Sequence, residues 1–177
     1  MDINIYKTPE ELADKLADHI INTHLNKNIA LSGGSTPLNL FKALSKKLDS
    51  IDNECKFYWV DERCVTPESD DSNYKMANSF LFCSNNIKKE NIFRIKGEND
   101  PEEEVINYSK TLRKNLKLVN NLPSFELVIL GLGDDGHTAS IFPHELEKFK
   151  ESNDCVLATH PTSGQNRISL SEKIINN

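Results

Sequence analysis

The chain alternates short apolar runs with amphipathic segments that begin at helix-capping residues, and this alternation constrains the fold most. The runs typical of strands are INIY (3–6), NIALSGG (28–34), KFYWVDE (56–62), NIFRI (91–95), FELVILGLG (125–133), CVLAT (155–159) and RISLS (167–171). Between them, Thr8, Thr36 and Asp100 each precede a proline, as expected at the start of a helix. The pattern predicts an α/β fold in which a mostly parallel sheet is flanked by helices. FELVILGLG is the best candidate for a central strand that is buried on both faces.

Length, charge and cysteine spacing exclude several classes of protein. The 177 residues suit a single α/β domain covering residues 1–177. A net charge of -6 argues against nucleic acid as the main partner. We find neither a secretory signal nor an apolar stretch of transmembrane length, so we expect a cytoplasmic protein without a membrane partner. The four cysteines form no C-x-x-C pair, which predicts reduced thiols rather than a zinc site or a disulfide framework.

Three polar clusters follow predicted strands, and the carboxyl ends of parallel strands are where such sheets bind ligands. The first cluster is SGGSTP, in which Gly33 and Gly34 form a turn and Ser35 and Thr36 begin a helix. The free backbone amides and the dipole of a helix start favour an anion such as phosphate. The alternative is an ordinary strand-to-helix turn with a good cap.

The second cluster, DER, places Asp61, Glu62 and Arg63 where an apolar strand stops. The planar guanidinium of Arg63 is suited to phosphate oxygens, and one of the acids would position it. The alternative is an exposed loop whose charges are solvated. The polar stretch that follows, residues 66–72, is most simply an exposed loop.

The third cluster, GDDGHTAS, contains His137. Histidine is the side chain type that ordinarily titrates nearest neutrality, so His137 is the natural candidate for a general base. Asp61, Asp134 and Asp135 are the candidates for the acid that orients it. The alternative is a histidine that only satisfies local hydrogen bonds. The G-x-G-x-x-G spacing at 131–136 does not indicate dinucleotide binding, because Pro143 interrupts the segment and the next convincing strand begins only near Cys155. We expect no metal, since the histidines lack a metal-ligand spacing.

Taken together, the ordered segments LSGGSTPLNLFKAL, WVDERCVTPESDDSNYKMA, LVILGLGDDGHTASIFP and RISLS resemble the 6-phosphogluconolactonase family. The similarity covers nearly the whole chain. It implies a Rossmann-like three-layer sandwich, shared with the related glucosamine-6-phosphate deaminases. VDER and DDGHTASIFP in this chain favour the lactonase over the deaminase, whose segments read closer to MDEY and GDGHIAFNEP.

The resemblance implies hydrolysis of 6-phospho-D-glucono-1,5-lactone to 6-phospho-D-gluconate in the oxidative pentose phosphate pathway. His137 would be the base that activates water, and Asp135 or Asp61 would complete the catalytic group as the carboxylate that orients it. The implied substrate-binding residues are Gly33, Gly34, Ser35, Thr36, Arg63, Gly133 and Arg167, with the two arginines on the phosphate. No cofactor is needed, because water is the nucleophile. The only implied partner is the small sugar phosphate, and the sequence sets no oligomeric state.

Members of this family continue past the RISLS strand through another strand and a terminal helix. We therefore expect the chain to be C-terminally short relative to the family, with an exposed sheet edge and apolar face. Two alternatives to the lactonase remain at this point. One is a truncated sugar-phosphate-binding protein with weak or no activity, and the other is a glucosamine-6-phosphate deaminase-like enzyme.

Overall fold

A computed structural model describes residues 2–48, 54–82, 87–152 and 154–177. The helices are α1 (Pro9–His24), α2 (Ser35–Leu48), α3 (Asn73–Ala77), α4 (Pro101–Asn115), α5 (Leu146–Glu151) and α6 (Glu172–Ile175). The strands are β1 (Asn28–Leu31), β2 (Lys56–Trp59), β3 (Asp61–Arg63), β4 (Ile92–Phe93), β5 (Lys117–Val119), β6 (Leu122–Ser124), β7 (Leu127–Val128), β8 (Cys155–Thr159) and β9 (Asn166–Leu170).

The main sheet is parallel, as predicted, and its strands run in the order β4-β2-β1-β7. Its central strands, β1 and β2, are almost entirely buried. The buried residues of β1, β2, α2 and α4 share one large hydrophobic core. This arrangement confirms the predicted α/β class with a parallel sheet flanked by helices.

A second, antiparallel sheet has the order β3-β9-β8, and β5 and β6 form a separate hairpin. The run KFYWVDE, predicted as one strand, is therefore two strands in different sheets. Val60 is the junction, because its N–H donates to Leu31 O of the main sheet at 2.9 Å and its carbonyl accepts from Leu170 N of β9 at 2.7 Å. The change of sheet turns the residues of β3 toward β9.

The predicted helix caps form as expected at two of the three starts. Thr8 Oγ1 accepts a hydrogen bond from Glu11 N at 3.1 Å, and Asp100 Oδ1 accepts from Glu102 N and Glu103 N at 3.1 Å each. These side chains satisfy amides that have no partner within their own helix. Helix α2 begins at Ser35, so Thr36 lies in its first turn and not at the cap.

Two predicted strands differ from the structure. INIY lies in an irregular and exposed segment, with Ile3 and Ile5 73% and 89% accessible. FELVILGLG forms only the two-residue β7, which pairs with β1 alone among the described residues and so lies at an edge of the sheet. Leu130 and Leu132, just beyond β7, are exposed. No helix in the described part of the chain is both long and apolar enough to span a membrane.

The buried hydroxyl of Tyr108 joins α4 to the end of β2. It accepts a hydrogen bond from Trp59 N at 2.9 Å and donates one to Trp59 O at 3.0 Å, and both residues are fully buried. We expect Tyr108→Phe to lower the free energy of unfolding by about 1–3 kcal/mol, because it leaves a buried donor and acceptor without partners. Urea denaturation measures this loss. Tyr6→Phe, outside the core, is the control, and equal stability of the two variants would contradict the assignment.

Candidate active site

A cleft of about 210 Å³ opens at the carboxyl ends of β1 and β7. After β1 the chain forms β2 and β4 on one side of β1, and it later forms β7 on the other side of β1. The direction in which strands are added to the sheet therefore reverses beside β1. Parallel α/β sheets bind ligands in the crevice that such a reversal creates. Nearly all the predicted site residues line the cleft, namely Gly33, Gly34, Ser35, Thr36, Asp61, Arg63, Gly133, His137 and Arg167.

The glycine turn after β1 forms one wall of the cleft. Gly34 has a φ of +103°, which favours glycine, and α2 begins directly after it. The first amides of α2 have no partners within the helix and are suited to an anion. Gly33 lies against Asn73 so closely that a Cβ at this position would be 1.8 Å from Asn73 Oδ1. The absence of a side chain at Gly33 therefore permits the approach of α3.

Two arginines from adjacent strands form the cationic part of the cleft. Arg63 on β3 and Arg167 on β9 are directly opposite each other in the register. Arg63 Nη1 donates to Asp71 O at 2.5 Å. The Nε atoms of both arginines are buried and have no hydrogen-bond partner within the described residues. Burial, together with the neighbouring Arg63, lowers the pKa of Arg167. An anion held between the two guanidinium groups would relieve this repulsion.

Asp61 lines the same cleft and is 6% exposed. Its Oδ2 accepts a hydrogen bond from Ser140 Oγ at 2.7 Å, and its Oδ1 accepts one from Asn73 Nδ2 at 3.2 Å. Asn73 Nδ2 also donates to Asp61 O at 2.9 Å. The carboxylate is therefore held by residues of two different elements.

Glu62 anchors the start of α3 rather than being solvated in an exposed loop. Its buried carboxylate accepts from the backbone amides of Arg63, Asn73 and Tyr74 at 2.8 Å each and from Ser72 Oγ at 3.1 Å. Burial raises the pKa of Glu62, and these four donors oppose that rise. Ser72, predicted in an exposed loop, is instead 3% exposed and caps α3.

His137 is held by its own loop. Its ring Nδ1 contacts Asp135 Oδ1, and its backbone N–H donates to the same oxygen at 3.2 Å. The hydrogen bond from His137 lowers the pKa of Asp135. An ionised carboxylate accepts from Nδ1–H, which leaves the lone pair of a neutral imidazole on Nε2. Of the three candidate acids, Asp135 is thus the one in contact with His137, although it does not itself line the cleft.

Gly133 makes room for the imidazole. A Cβ at this position would lie 2.3 Å from His137 Cε1. The Gly133 N–H donates to His137 O at 2.8 Å, so it is occupied within the turn. Gly133 therefore shapes the loop, and we do not assign its amide to a substrate.

The described parts of the chain contain no cluster of three or more His, Cys, Asp or Glu side chains arranged to hold a metal ion. The cysteines Cys55, Cys64 and Cys155 are free thiols, and Cys83 lies outside the described residues. The ionisable groups that line the cleft are the imidazole of His137, the carboxylate of Asp61 and the guanidinium groups of Arg63 and Arg167. Such a set is suited to an anionic substrate and to acid–base chemistry.

Comparison with known proteins shows the family of the chain. A family model described as "Glucosamine-6-phosphate isomerases/6-phosphogluconolactonase" matches residues 6–177. The chain belongs to this family. It is 42% identical over 151 residues to the 6-phosphogluconolactonase of Treponema pallidum, a match that covers 84% of this chain and 63% of the relative. The Haemophilus influenzae 6-phosphogluconolactonase is 42% identical over 176 residues, or 96% of this chain and 74% of the relative.

A solved structure of the same architecture is that of devB protein, with a TM-score of 0.90 and 38% identity over 97% of this chain and 74% of that chain. The chain thus spans about two thirds to three quarters of the length of these relatives. The agreement in fold confirms the assignment to the family.

Sequence reasoning missed two residues that hold Asp61 at the cleft. Asn73 and Ser140 both hold Asp61, and both are almost fully buried. The only local signal was the position of Asn73 after the capping residue Ser72. Nothing local marks Ser140, because its partner is 79 positions away.

We expect Gly33→Ala to lower the free energy of unfolding by about 1–3 kcal/mol, because the added methyl group displaces Asn73 in a packed region. Gly131→Ala is the matched control, since Gly131 also lines the cleft and a Cβ there meets nothing within 4 Å. Urea denaturation compares the two variants. Equal stability would show that the contact between Gly33 and Asn73 is not tight.

Proposed function

We propose that the chain hydrolyses 6-phospho-D-glucono-1,5-lactone to 6-phospho-D-gluconate. The observation that carries the proposal is that His137 and the arginine pair Arg63 and Arg167 line one cleft. A single phosphorylated sugar lactone can therefore meet both a base and an anion site. The names of the relatives support the same substrate class.

The phosphate binds between Arg63 and Arg167, close to the first amides of α2. Arginine suits this task because its donors match the geometry of phosphate oxygens. The residues of the turn, Gly33 and Gly34, leave room for the sugar phosphate beside the helix start. The lactone carbonyl then lies toward His137.

His137 Nε2 removes a proton from water as the water oxygen attacks the lactone carbonyl carbon, which forms a tetrahedral oxyanion. Asp135 holds the imidazole through Nδ1 and stabilises the imidazolium that forms. The intermediate then breaks its bond to the ring oxygen, and the imidazolium returns the proton to that oxygen as it leaves as the 5-hydroxyl. Asp61, held by Ser140 and Asn73, presents a fixed acceptor to the sugar.

We expect His137→Ala to lower kcat about 10²- to 10⁴-fold with a smaller change in KM, because the general base acts in the transition state. His19→Ala, at an exposed position of α1, is the control. The assay follows lactone hydrolysis with the spontaneous rate subtracted. A kcat near that of the wild type in His137→Ala would contradict the role of this base.

We expect Arg63→Met mainly to raise KM, by about 10- to 100-fold, because it removes a charge-assisted hydrogen-bond donor worth about 1.5–3 kcal/mol. Arg94→Met is the matched control, since Arg94 pairs with Glu98 away from the cleft. The same assay gives KM for each variant. An unchanged KM in Arg63→Met would place the phosphate elsewhere.

A sugar-phosphate-binding protein without turnover is the second candidate, because the anion site formed by Arg63 and Arg167 binds a sugar phosphate whether or not His137 acts as a base. Calorimetry with 6-phosphogluconate distinguishes the two candidates. Binding without lactone turnover supports the binding protein, and turnover supports the lactonase. Release of ammonia from glucosamine 6-phosphate would instead indicate a deaminase-like enzyme.

A further inference from the structure

One aromatic ring contacts both functional halves of the cleft. Phe142 is fully buried, and its ring centroid lies 5.0 Å from that of His137. The guanidinium carbon of Arg167 lies 5.7 Å from the same ring centroid. Two further histidines surround the ring, His160 edge-on at 5.3 Å and His144 stacked at 5.9 Å. The ring is therefore shared by the proposed base and by one of the proposed phosphate ligands.

Phe142 belongs to a small hydrophobic cluster that is separate from the main core. Its buried members are Phe142, Phe149 of α5, and Val156 and Ala158 of β8, with Ile141 packed against them. The cluster packs the Phe142 ring against β8 of the antiparallel sheet, and Arg167 lies in β9 of the same sheet. This cluster shares no buried member with the main core.

The backbone on both sides of Phe142 is also held in place. Phe142 N donates to Ser140 O at 3.1 Å, and Glu145 N donates to Phe142 O at 3.0 Å. Ser140 is in turn bonded to Asp61, and Glu145 Oε2 accepts from Thr159 N of β8 at 2.9 Å. The ring thus lies in a hydrogen-bonded connection between the loop that carries His137 and the second sheet.

We propose that Phe142 is a positioning residue that sets the separation between His137 and Arg167. It acts through these two side chains and not on the substrate, because it is fully buried. The imidazole packs against the ring, and the guanidinium gains a cation–π contact with it. The consequence for catalysis rests on the proposed lactonase function. The geometric role does not.

Phe142→Leu is the test, and Phe149→Leu is the matched control. Both residues are fully buried in the same cluster, but the ring contacts to His137 and Arg167 belong to Phe142. We expect Phe142→Leu to lower kcat/KM for the lactone about tenfold or more relative to Phe149→Leu, because small displacements of reacting groups cost rate. We expect a lower kcat because His137 is displaced, and a higher KM because Arg167 is displaced.

Two further readouts do not depend on turnover. The Cε1–H resonance of His137 in the NMR spectrum is assigned with the variant His137→Gln. We expect this resonance to shift in Phe142→Leu, because the ring current of Phe142 is removed. Calorimetry with inorganic phosphate shows weaker binding in the same variant. Phe142→Met, which keeps most of the volume, provides the same comparison if Phe142→Leu does not fold.

The outcomes separate the two proposals. If the wild-type chain does not hydrolyse the lactone, the proposed function fails, while the NMR and phosphate measurements still test Phe142. If Phe142→Leu matches Phe149→Leu in kinetics, in the His137 resonance and in phosphate affinity, the positioning role is refuted. A changed His137 resonance with weakened phosphate binding in Phe142→Leu alone supports it.

Discussion

The hydrogen bond between Ser140 Oγ and Asp61 Oδ2 joins the two sides of the cleft, and the arrangement of the functional groups depends on it. Ser140 lies in the loop that follows β7, and Asp61 begins β3 of the second sheet. Ser140 is fully buried and Asp61 is 6% exposed, so water competes little for this hydrogen bond. A buried polar pair of this kind is costly to break, because each group left alone keeps its desolvation penalty. The loop of His137 is thereby held beside Arg63 and Arg167.

The change of sheet at Val60 makes this contact possible. The chain leaves the parallel sheet after β2, and Val60 bonds to both sheets before β3 begins. The arginines of β3 and β9 then face each other, while the glycine turn after β1 remains at the crevice of the parallel sheet. Phe142, which packs against Val156 and Ala158 of β8, adds a further contact between the loop of His137 and the second sheet. A cation pair, a helix start and an imidazole therefore converge from three separate elements.

Local chemistry predicted the features that depend on neighbouring residues. The caps at Thr8 and Asp100 were correct, because a capping side chain bonds to amides two or three positions away. The prediction that FELVILGLG forms a central strand was wrong. An apolar run has the same sequence pattern at the centre and at the edge of a sheet, and only the strands that pair with it determine its position. INIY was wrong as a strand because alternation alone supplies no pairing partner.

The amino-acid sequence by itself was sufficient to predict three polar clusters at strand ends and to select His137 within one of them. This was possible because parallel strands bring their carboxyl ends to one side of a sheet. Only the tertiary structure determined which carboxylate contacts which side chain. Asp135 contacts His137 from within the same turn, whereas Asp61 bonds to Ser140, 79 positions away. A hydrogen bond needs two atoms within about 3 Å, and for residues so distant along the chain only the folded backbone sets that separation.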